Sequence, residues 1–335
     1  MSVEMPEPSK TVLVTGGAGY IGSHTCKALW KRGYEAVAFD CLETGHEKAV
    51  KWGPLERGNL LDSDSLVDAI ARHSPFAVMH FAAYAYVGES VSDPARYYRN
   101  NLTGTINLLN AMLKQKVRNI VFSSTCATYG VPDSIPIPET SPQNPINPYG
   151  RSKWMIEQML ADYSRAYDVS CCSLRYFNAA GADPDGEIGE THDPEPHLIP
   201  NVLRTGMGKG GELKVFGNDY PTRDGTCIRD YIHVTDLTEA HCLALDHLVE
   251  RPGVHAFNLG SNRGHSVLEV IEAAEVEIGV SIPYTVEKRR SGDPPVLVAD
   301  SSRAERELGW TRVHSSLREI LRTAWKWEQS GGFLA

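Results

Sequence analysis

Lys10-Thr11-Val12-Leu13-Val14-Thr15-Gly16-Gly17-Ala18-Gly19-Tyr20-Ile21-Gly22 is the stretch that decides the fold. Val12, Leu13 and Val14 form a β-prone run that gives way to glycines, and then to a helical pattern in which Ile21, Thr25, Ala28 and Leu29 share one face. The glycine spacing is Gly16-x-x-Gly19-x-x-Gly22. Gly16 permits a tight turn, Gly19 lets backbone approach a pyrophosphate, and Gly22 lets the helix lie close to the sheet with its N-terminus facing the anion. A second strand at Ala36-Val37-Ala38-Phe39 ends in Asp40, a carboxylate placed to accept both hydroxyls of an adenosine ribose. That acid favours NAD over NADP, because a 2′-phosphate would meet an unneutralised negative charge.

Working outward, the same alternation repeats. Leu55 to Gly58 leads into a third expected strand ending at Asn59 and Leu60, and Asp62-Ser63-Asp64-Ser65 offers N-caps for a helix to about His73. Ala77 to Ala83 reads as a strand buried on both faces, and its small Ala82-Ala83 end admits a ribose or phosphate close to the backbone. A helix is expected from about Pro94 to Lys116, a strand from Asn119 to Ser124, a helix from Tyr149 to Tyr167 and a strand from Val169 to Phe177. This is an α/β chain with a doubly wound parallel sheet. Beyond residue 178 short strands, glycines and charged turns predict a smaller mixed α/β domain, with helices near 198–207, 235–249, 268–276 and 301–308. The expected division is therefore 10–177 and 178–330, with about 230–262 free to return to the first sheet. Residues 1–9 read as a leader that lacks the basic flank and apolar core of a signal peptide.

Composition narrows the partners. The 335 residues are 41% hydrophobic and 22% charged with a formal charge of −9, which argues against nucleic acid or an anionic membrane as partner. No apolar run approaches the roughly 18 to 20 residues of a membrane helix. Seven scattered cysteines fit a reduced, cytosolic compartment, and their spacing suggests no metal site.

The chemistry centres on Tyr149-x-x-x-Lys153, two side chains one helical turn apart on a common face. A lysine beside a phenol favours phenolate and is expected to draw its pKa down from about 10 towards the operating range. Tyr149 then becomes a proton acceptor for a sugar hydroxyl. Thr125, at the end of the strand closing Ser123-Ser124-Thr125, stands where parallel sheets place chemistry, although its hydroxyl could simply cap the following turn.

Six segments together resemble the sugar-nucleotide 4-epimerases of the extended short-chain dehydrogenase/reductase family. They are Thr15 to His24, Val87-Gly88-Glu89-Ser90, Ser123 to Gly130, Asn147-Pro148-Tyr149-Gly150, Leu174 to Asn178 and Asp224 to Val234. The resemblance implies a Rossmann-type NAD domain, interconversion of UDP-glucose and UDP-galactose, and a homodimer packed through the helices after Pro94 and Tyr149. It further implies that Tyr149 is the base, Lys153 its tuner and Thr125 the hydroxyl beside the reacting oxygen. Gly16, Gly19, Tyr20, Ile21, Gly22, Asp40, Asn59, Leu60, Phe81, Ala82, Ala83, Asn100, Tyr149, Lys153 and Tyr176 match positions lining the NAD pocket. Thr125, Asn178, His197, Leu198, Phe216, Arg229, Arg290, Asp293 and Leu297 match those around the UDP-sugar. Each arginine could instead close a salt bridge between domains.

Several positions depart from the best-known bacterial form. Cys41 replaces an asparagine, Asn59 an aspartate near adenine, and His197 an asparagine near uracil. Ala85 stands in place of a lysine that holds NAD, with Tyr86 in place of a small neighbour, which implies looser cofactor retention. Leu297 implies a bias towards sugars without an N-acetyl group. Two other readings stay open, a UDP-xylose/UDP-arabinose 4-epimerase and a non-catalytic nucleotide-sugar-binding protein. A 4,6-dehydratase is disfavoured, because Cys126 and Ala127 offer no acid and base for its elimination step.

Overall fold

The structure, a computed structural model, describes residues 10–290 and 293–334; the leader expected at 1–9 lies outside the described residues. The chain begins β1 (Thr11–Thr15), α1 (Tyr20–Lys31), β2 (Glu35–Asp40), β3 (Leu55–Arg57), α2 (Ser63–His73) and β4 (Ala77–His80). Two short helices follow, α3 (Val87–Ser92) and α4 (Pro94–Tyr97), then α5 (Gly104–Lys114), β5 (Asn119–Thr125), α6 (Pro148–Tyr167) and β6 (Ser170–Tyr176). Next come β7 (Asn178–Ala180), α7 (Leu198–Gly206), β8 (Leu213–Phe216), β9 (Ile228–His233), α8 (Val234–Glu250) and β10 (Val254–Leu259). The remainder is β11 (Gly264–Ser266), α9 (Val267–Ile278), β12 (Tyr284–Glu287), β13 (Val296–Leu297), α10 (Ser302–Leu308) and α11 (Leu317–Gln329).

Seven parallel strands form the main sheet in the order β10-β6-β5-β4-β1-β2-β3. Alternation along β1 explains why both faces are covered. Val12 and Val14 join a cluster with Leu29 of α1 and Leu237, Leu245 and Leu248 of α8, whereas Leu13 faces Leu66 of α2, Leu108 of α5 and Ile156 of α6. The strand order reverses between β1 and β4, which opens a crevice at their carboxyl ends. After β6 the chain leaves to build β7 and β9, then returns so that β10 pairs with β6 at the sheet edge. A second sheet, β11-β9-β13 with β7 beside β9, packs under α7, α9 and α11 through Val202, Leu203, Ile271, Ile320 and Leu321.

Two strand ends are corrected, and one expected helix is present with an irregular turn. The third strand ends at Arg57, because Asn59 begins a turn whose side chain accepts the Leu61 amide at 2.9 Å and whose carbonyl accepts that of Asp62. The fourth strand ends at His80, where the amides of Phe81 and Ala82 both turn to the Thr15 carbonyl, at 3.0 and 3.1 Å. The helix expected from Pro94 to Lys116 carries a π-helical segment over Tyr98–Thr103. Its inward-facing Asn101 bonds Tyr84 on both backbone groups and the Ser152 hydroxyl of α6. The wider turn accommodates that residue at the cost of regular helix geometry.

Candidate active site

Tyr149 is placed by a tight corner. Asn147 caps α6, its side chain accepting the Gly150 amide at 2.8 Å, and Pro148 supplies a preset first-turn φ. A Cβ at Gly150 would lie 2.4 Å from the Ala127 carbonyl, so only glycine lets α6 start this close to the turn after β5. The corner brings Thr125, Tyr149 and Lys153 together, all buried, at the carboxyl end of the sheet. Lys153 Nζ donates to the Ser123 carbonyl at 2.8 Å and lies 4.8 Å from the Phe122 ring centroid. Ser123 in turn shares a 2.7 Å hydroxyl contact with Tyr176.

The expected lowering of the Tyr149 pKa is not what the isolated chain shows. Burial pushes the phenol well above its ordinary value, Tyr176 adds to this, and a hydrogen bond with Thr125 pulls the other way. Lys153 is driven down to about 7, again by burial, with Glu157 opposing. The protein alone therefore holds Tyr149 protonated and Lys153 close to losing its charge.

The nucleotide side fits a dinucleotide. Gly16 has φ +73°, and a Cβ there would meet the Ala82 amide at 2.7 Å; one at Gly22 would meet the Gly16 carbonyl at 2.0 Å. The N-terminus of α1 has neither a side-chain cap nor an acidic residue in its first turn, so its orphan amides are available to a pyrophosphate. Asp40 is nearly buried, accepting the amides of Ala18 at 3.0 Å and Leu42 at 2.8 Å; burial raises its pKa, a burden that ribose hydroxyl donors would relieve. Phe81, Ala82 and Ala83 line the turn after β4, Ile21 lies in the first turn of α1, and Leu60 is buried while Asn59 is exposed beside it. Tyr20 gives its hydroxyl to the Gly181 carbonyl at 2.6 Å, leaving its backbone at the glycine turn. Asn100 sits in the π segment and donates to Asn101 at 3.1 Å.

On the other side, Arg229 of β9 is paired with Asp293, and Leu297 of β13 lies opposite Arg229. The Arg290 guanidinium lies 3.9 Å from the Phe216 ring centroid and, with Arg289, Asp293 and Tyr220, lines a cleft of ≈ 280 Å³. Asn178 donates to the Asp230 carbonyl at 2.9 Å, and Leu198 begins α7. His197 Nδ1 faces Glu195 and Glu190, at 3.0 and 2.6 Å, and its side chain is about half exposed, 47%.

Two supporting groups escaped the sequence reading. Glu157, one turn beyond Lys153, binds Ser124 and receives Arg175 Nη2 at 2.6 Å, an ion pair buried on both sides. The run Tyr149, Lys153, Glu157 at successive i+4 positions carried that signal. Asn101 had no such local sign, since its partners lie elsewhere in the chain.

A dinucleotide crevice at the switch point, with a buried phenol and ammonium at its edge, defines a nucleotide-dependent enzyme that moves hydride and proton. The chain belongs to the NAD dependent epimerase/dehydratase family, whose model matches residues 12–260. It is 50% identical over 319 residues to the UDP-glucose 4-epimerase of Rhizobium meliloti strain 1021, covering 95% of this chain and 97% of that one. The crystal structure of UDP-glucose 4-epimerase from Brucella ovis in complex with NAD superposes with a TM-score of 0.92 at 54% identity, over 94% of this chain and 97% of that chain. That of the Stenotrophomonas maltophila UDP-glucose-4-epimerase, with bound NAD and formylated UDP-arabinopyranose, superposes with a TM-score of 0.93 at 41% identity, over 97% and 99%. Among the described residues no helix is long and apolar enough to cross a membrane.

Proposed function

We propose that this chain is an NAD-dependent UDP-sugar 4-epimerase that interconverts UDP-glucose and UDP-galactose through a 4-keto sugar. The observation that carries the reading is Thr125, Tyr149 and Lys153 buried together beside a dinucleotide crevice, in a chain half identical to a UDP-glucose 4-epimerase. Bound NAD supplies the acceptor and then the donor of the C4 hydride and ends each turnover unchanged. The positive charge that bound NAD would bring favours phenolate over the neutral phenol of the chain alone, so that Tyr149 would take the O4 proton and later return it while Thr125 steadies the phenol and Lys153 sets the local charge. Arg229 and Arg290 grip the diphosphate, and Asp293 accepts from the uridine ribose once Arg229 turns to the phosphates. A grip confined to the diphosphate leaves the sugar free to present either face.

Residues 10–177 together with the returning α8 and β10 form the NAD unit, and β7, β9, β13 and α7 serve the UDP-sugar. Seven unpaired cysteines support a cytosolic location. Exposed Ile106 on α5 and Tyr167 on α6 support a homodimer through those helices, for which the check is sedimentation at twice the chain mass.

Purified chain incubated with UDP-glucose and no added NAD should yield UDP-galactose on separation of the sugar nucleotides. Tyr149→Phe should lower kcat by about 10²- to 10⁴-fold. Unchanged turnover in that variant overturns the mechanism. The UDP-pentose in the Stenotrophomonas maltophila structure favours a second reading, UDP-xylose/UDP-arabinose epimerisation, and a higher kcat/KM on UDP-xylose would establish it.

A further inference from the structure

Residues 181–197, between β7 and α7, carry two knots of acidic side chains. In the first, Asp183, Asp185 and Glu187 converge on the Lys27 ammonium at 2.6 to 2.9 Å, so a cation of the chain's own already fills it. The second is built differently. Glu190, His192, Glu195 and His197 bring one ligand atom each to within 4.8 Å of the others, and the Arg204 guanidinium stays 3.8 Å from Glu195, outside hydrogen-bond reach.

The contacts inside this second knot are close but incomplete. Glu190 Oε1 lies 2.6 Å from His197 Nδ1 and 3.2 Å from His192 Nδ1, yet it has hydrogen-bond geometry with neither. Glu195 Oε2, 3.5 Å from His192 Nδ1, and His192 Nδ1 itself are likewise buried without a hydrogen-bond partner. The Glu190 side chain is 6% exposed and that of Glu195 2%, so unbonded carboxylate oxygens are costly there. Glu195 Oε1 alone is satisfied, taking the backbone amide and Nδ1 of His197 at 3.0 Å each; the other three atoms crowd together unbonded, as ligands around a shared centre do.

We propose that Glu190, His192, Glu195 and His197 bind one divalent transition-metal ion of the zinc class through two imidazole nitrogens and two carboxylates. Metal–ligand bonds of about 2.0–2.1 Å in a tetrahedron set neighbouring ligand atoms roughly 3.3 Å apart. Glu190 Oε1 lies 3.2 and 2.6 Å from the His192 and His197 Nδ1 atoms, and Glu195 reaches the same two nitrogens through different oxygens, Oε2 at 3.5 Å and Oε1 at 3.0 Å, values on either side of that edge. Two carboxylates balance the double charge, and a mixed imidazole–carboxylate set suits zinc among biological cations. The spacing Glu190-x-His192-x-x-Glu195-x-His197 places all four ligands in one irregular loop without a cysteine.

The site sits at a structural junction. Trp327 Nε1 of α11 donates to the Glu190 carbonyl at 2.9 Å, His197 is the N-cap of α7, and the Tyr86 ring lies edge-on to both histidines at 6.1 and 6.3 Å. An ion here ties the loop that starts α7 to the last helix. The competing state has both rings protonated and paired with the carboxylates. Burial works against that charge but Glu190 and Glu195 outweigh it, raising His192 to about 9 and His197 to about 10.

Titration of the tag-free, chelator-dialysed chain with Co²⁺ separates the two. Metal binding predicts one ion per chain with the intense visible absorption of tetrahedral Co²⁺, bleached by Zn²⁺. Glu190→Gln and His192→Asn should each weaken uptake at least about 10-fold, while Asp185→Asn should bind as the parent does. Absence of tetrahedral absorption in the parent chain overturns the proposal and leaves the proton-filled cluster. Uptake that survives both ligand substitutions overturns it as well. Because the parent titration decides by itself, a variant that fails to fold does not remove the test.

Discussion

Lys153 shows how one residue can be retained for chemistry against stability. Its folded pKa of about 7 lies below the ordinary 10.5, so between those values the unfolded chain holds a proton that the folded chain has released. Stability must therefore rise with pH across that window. In cofactor-free protein, Lys153→Met should remove this slope and stabilise the fold near pH 7 by on the order of a few kcal/mol, while abolishing turnover. Urea unfolding at pH 7 and 9 is the check, and parallel pH dependence in both proteins would refute it. Leu297 makes a second prediction at this scale. It packs against the buried cluster of Cys126, Tyr129, Ile137 and Phe177 and cannot swing aside without opening it. An N-acetyl group that must displace it should lower kcat/KM by about 10-fold or more relative to UDP-glucose, and Leu297→Ser should recover much of the loss. Equal efficiency of the parent on UDP-GlcNAc and UDP-glucose would contradict this. Residues whose meaning is a short-range spacing were legible in the sequence: Gly16, Gly19 and Gly22 with Asp40, and Tyr149 with Lys153. The sign of the Tyr149 shift was not, because burial raises it and burial is a property of the folded whole.

At the scale of elements, β5, α6 and β6 are locked by one buried pair. Glu157 of α6 binds Ser124 of β5 and Arg175 of β6, and Arg175 also reaches the Tyr129 hydroxyl at 2.9 Å. This lock holds the start of α6 over the end of β5, where Tyr149 meets Thr125. Arg175→Met leaves a buried carboxylate without its partner and should cost about 3–5 kcal/mol in urea unfolding. Adding Glu157→Leu should return most of that stability. A double variant as unstable as the single one would show that packing, rather than the stranded charge, carries the loss. The strands and helices themselves were readable, with ends shifted by up to about three residues, since period and capping residues are local. The π segment over Tyr98–Thr103 was not, because it exists to turn Asn101 towards Tyr84 and Ser152, contacts set by tertiary structure.

For the whole molecule, Ala85 carries no side-chain donor, so holding a cofactor in the crevice falls to the loops that border it. β2 and β4 flank β1, so a bond between the loops that follow them must pass the carboxyl end of β1, where Gly16 turns. Such a bond is present. The Tyr84 hydroxyl reaches both Glu43 carboxylate oxygens at 2.7 and 2.8 Å, and Arg96 stacks 4.1 Å from the Tyr84 ring while pairing with Glu43 at 3.0 Å and Glu89 at 2.5 Å. These groups are partly exposed, and exposed pairs add little to global stability. Their effect should appear in local opening, the motion that releases a bound dinucleotide. Arg96→Ala is expected to speed NAD release several-fold, read as cofactor absorbance lost during dialysis, while changing unfolding free energy by less than about 1 kcal/mol. Retention equal to that of the parent would mean the link spans the crevice without closing it. A large loss of global stability alongside faster release would place its role in folding instead.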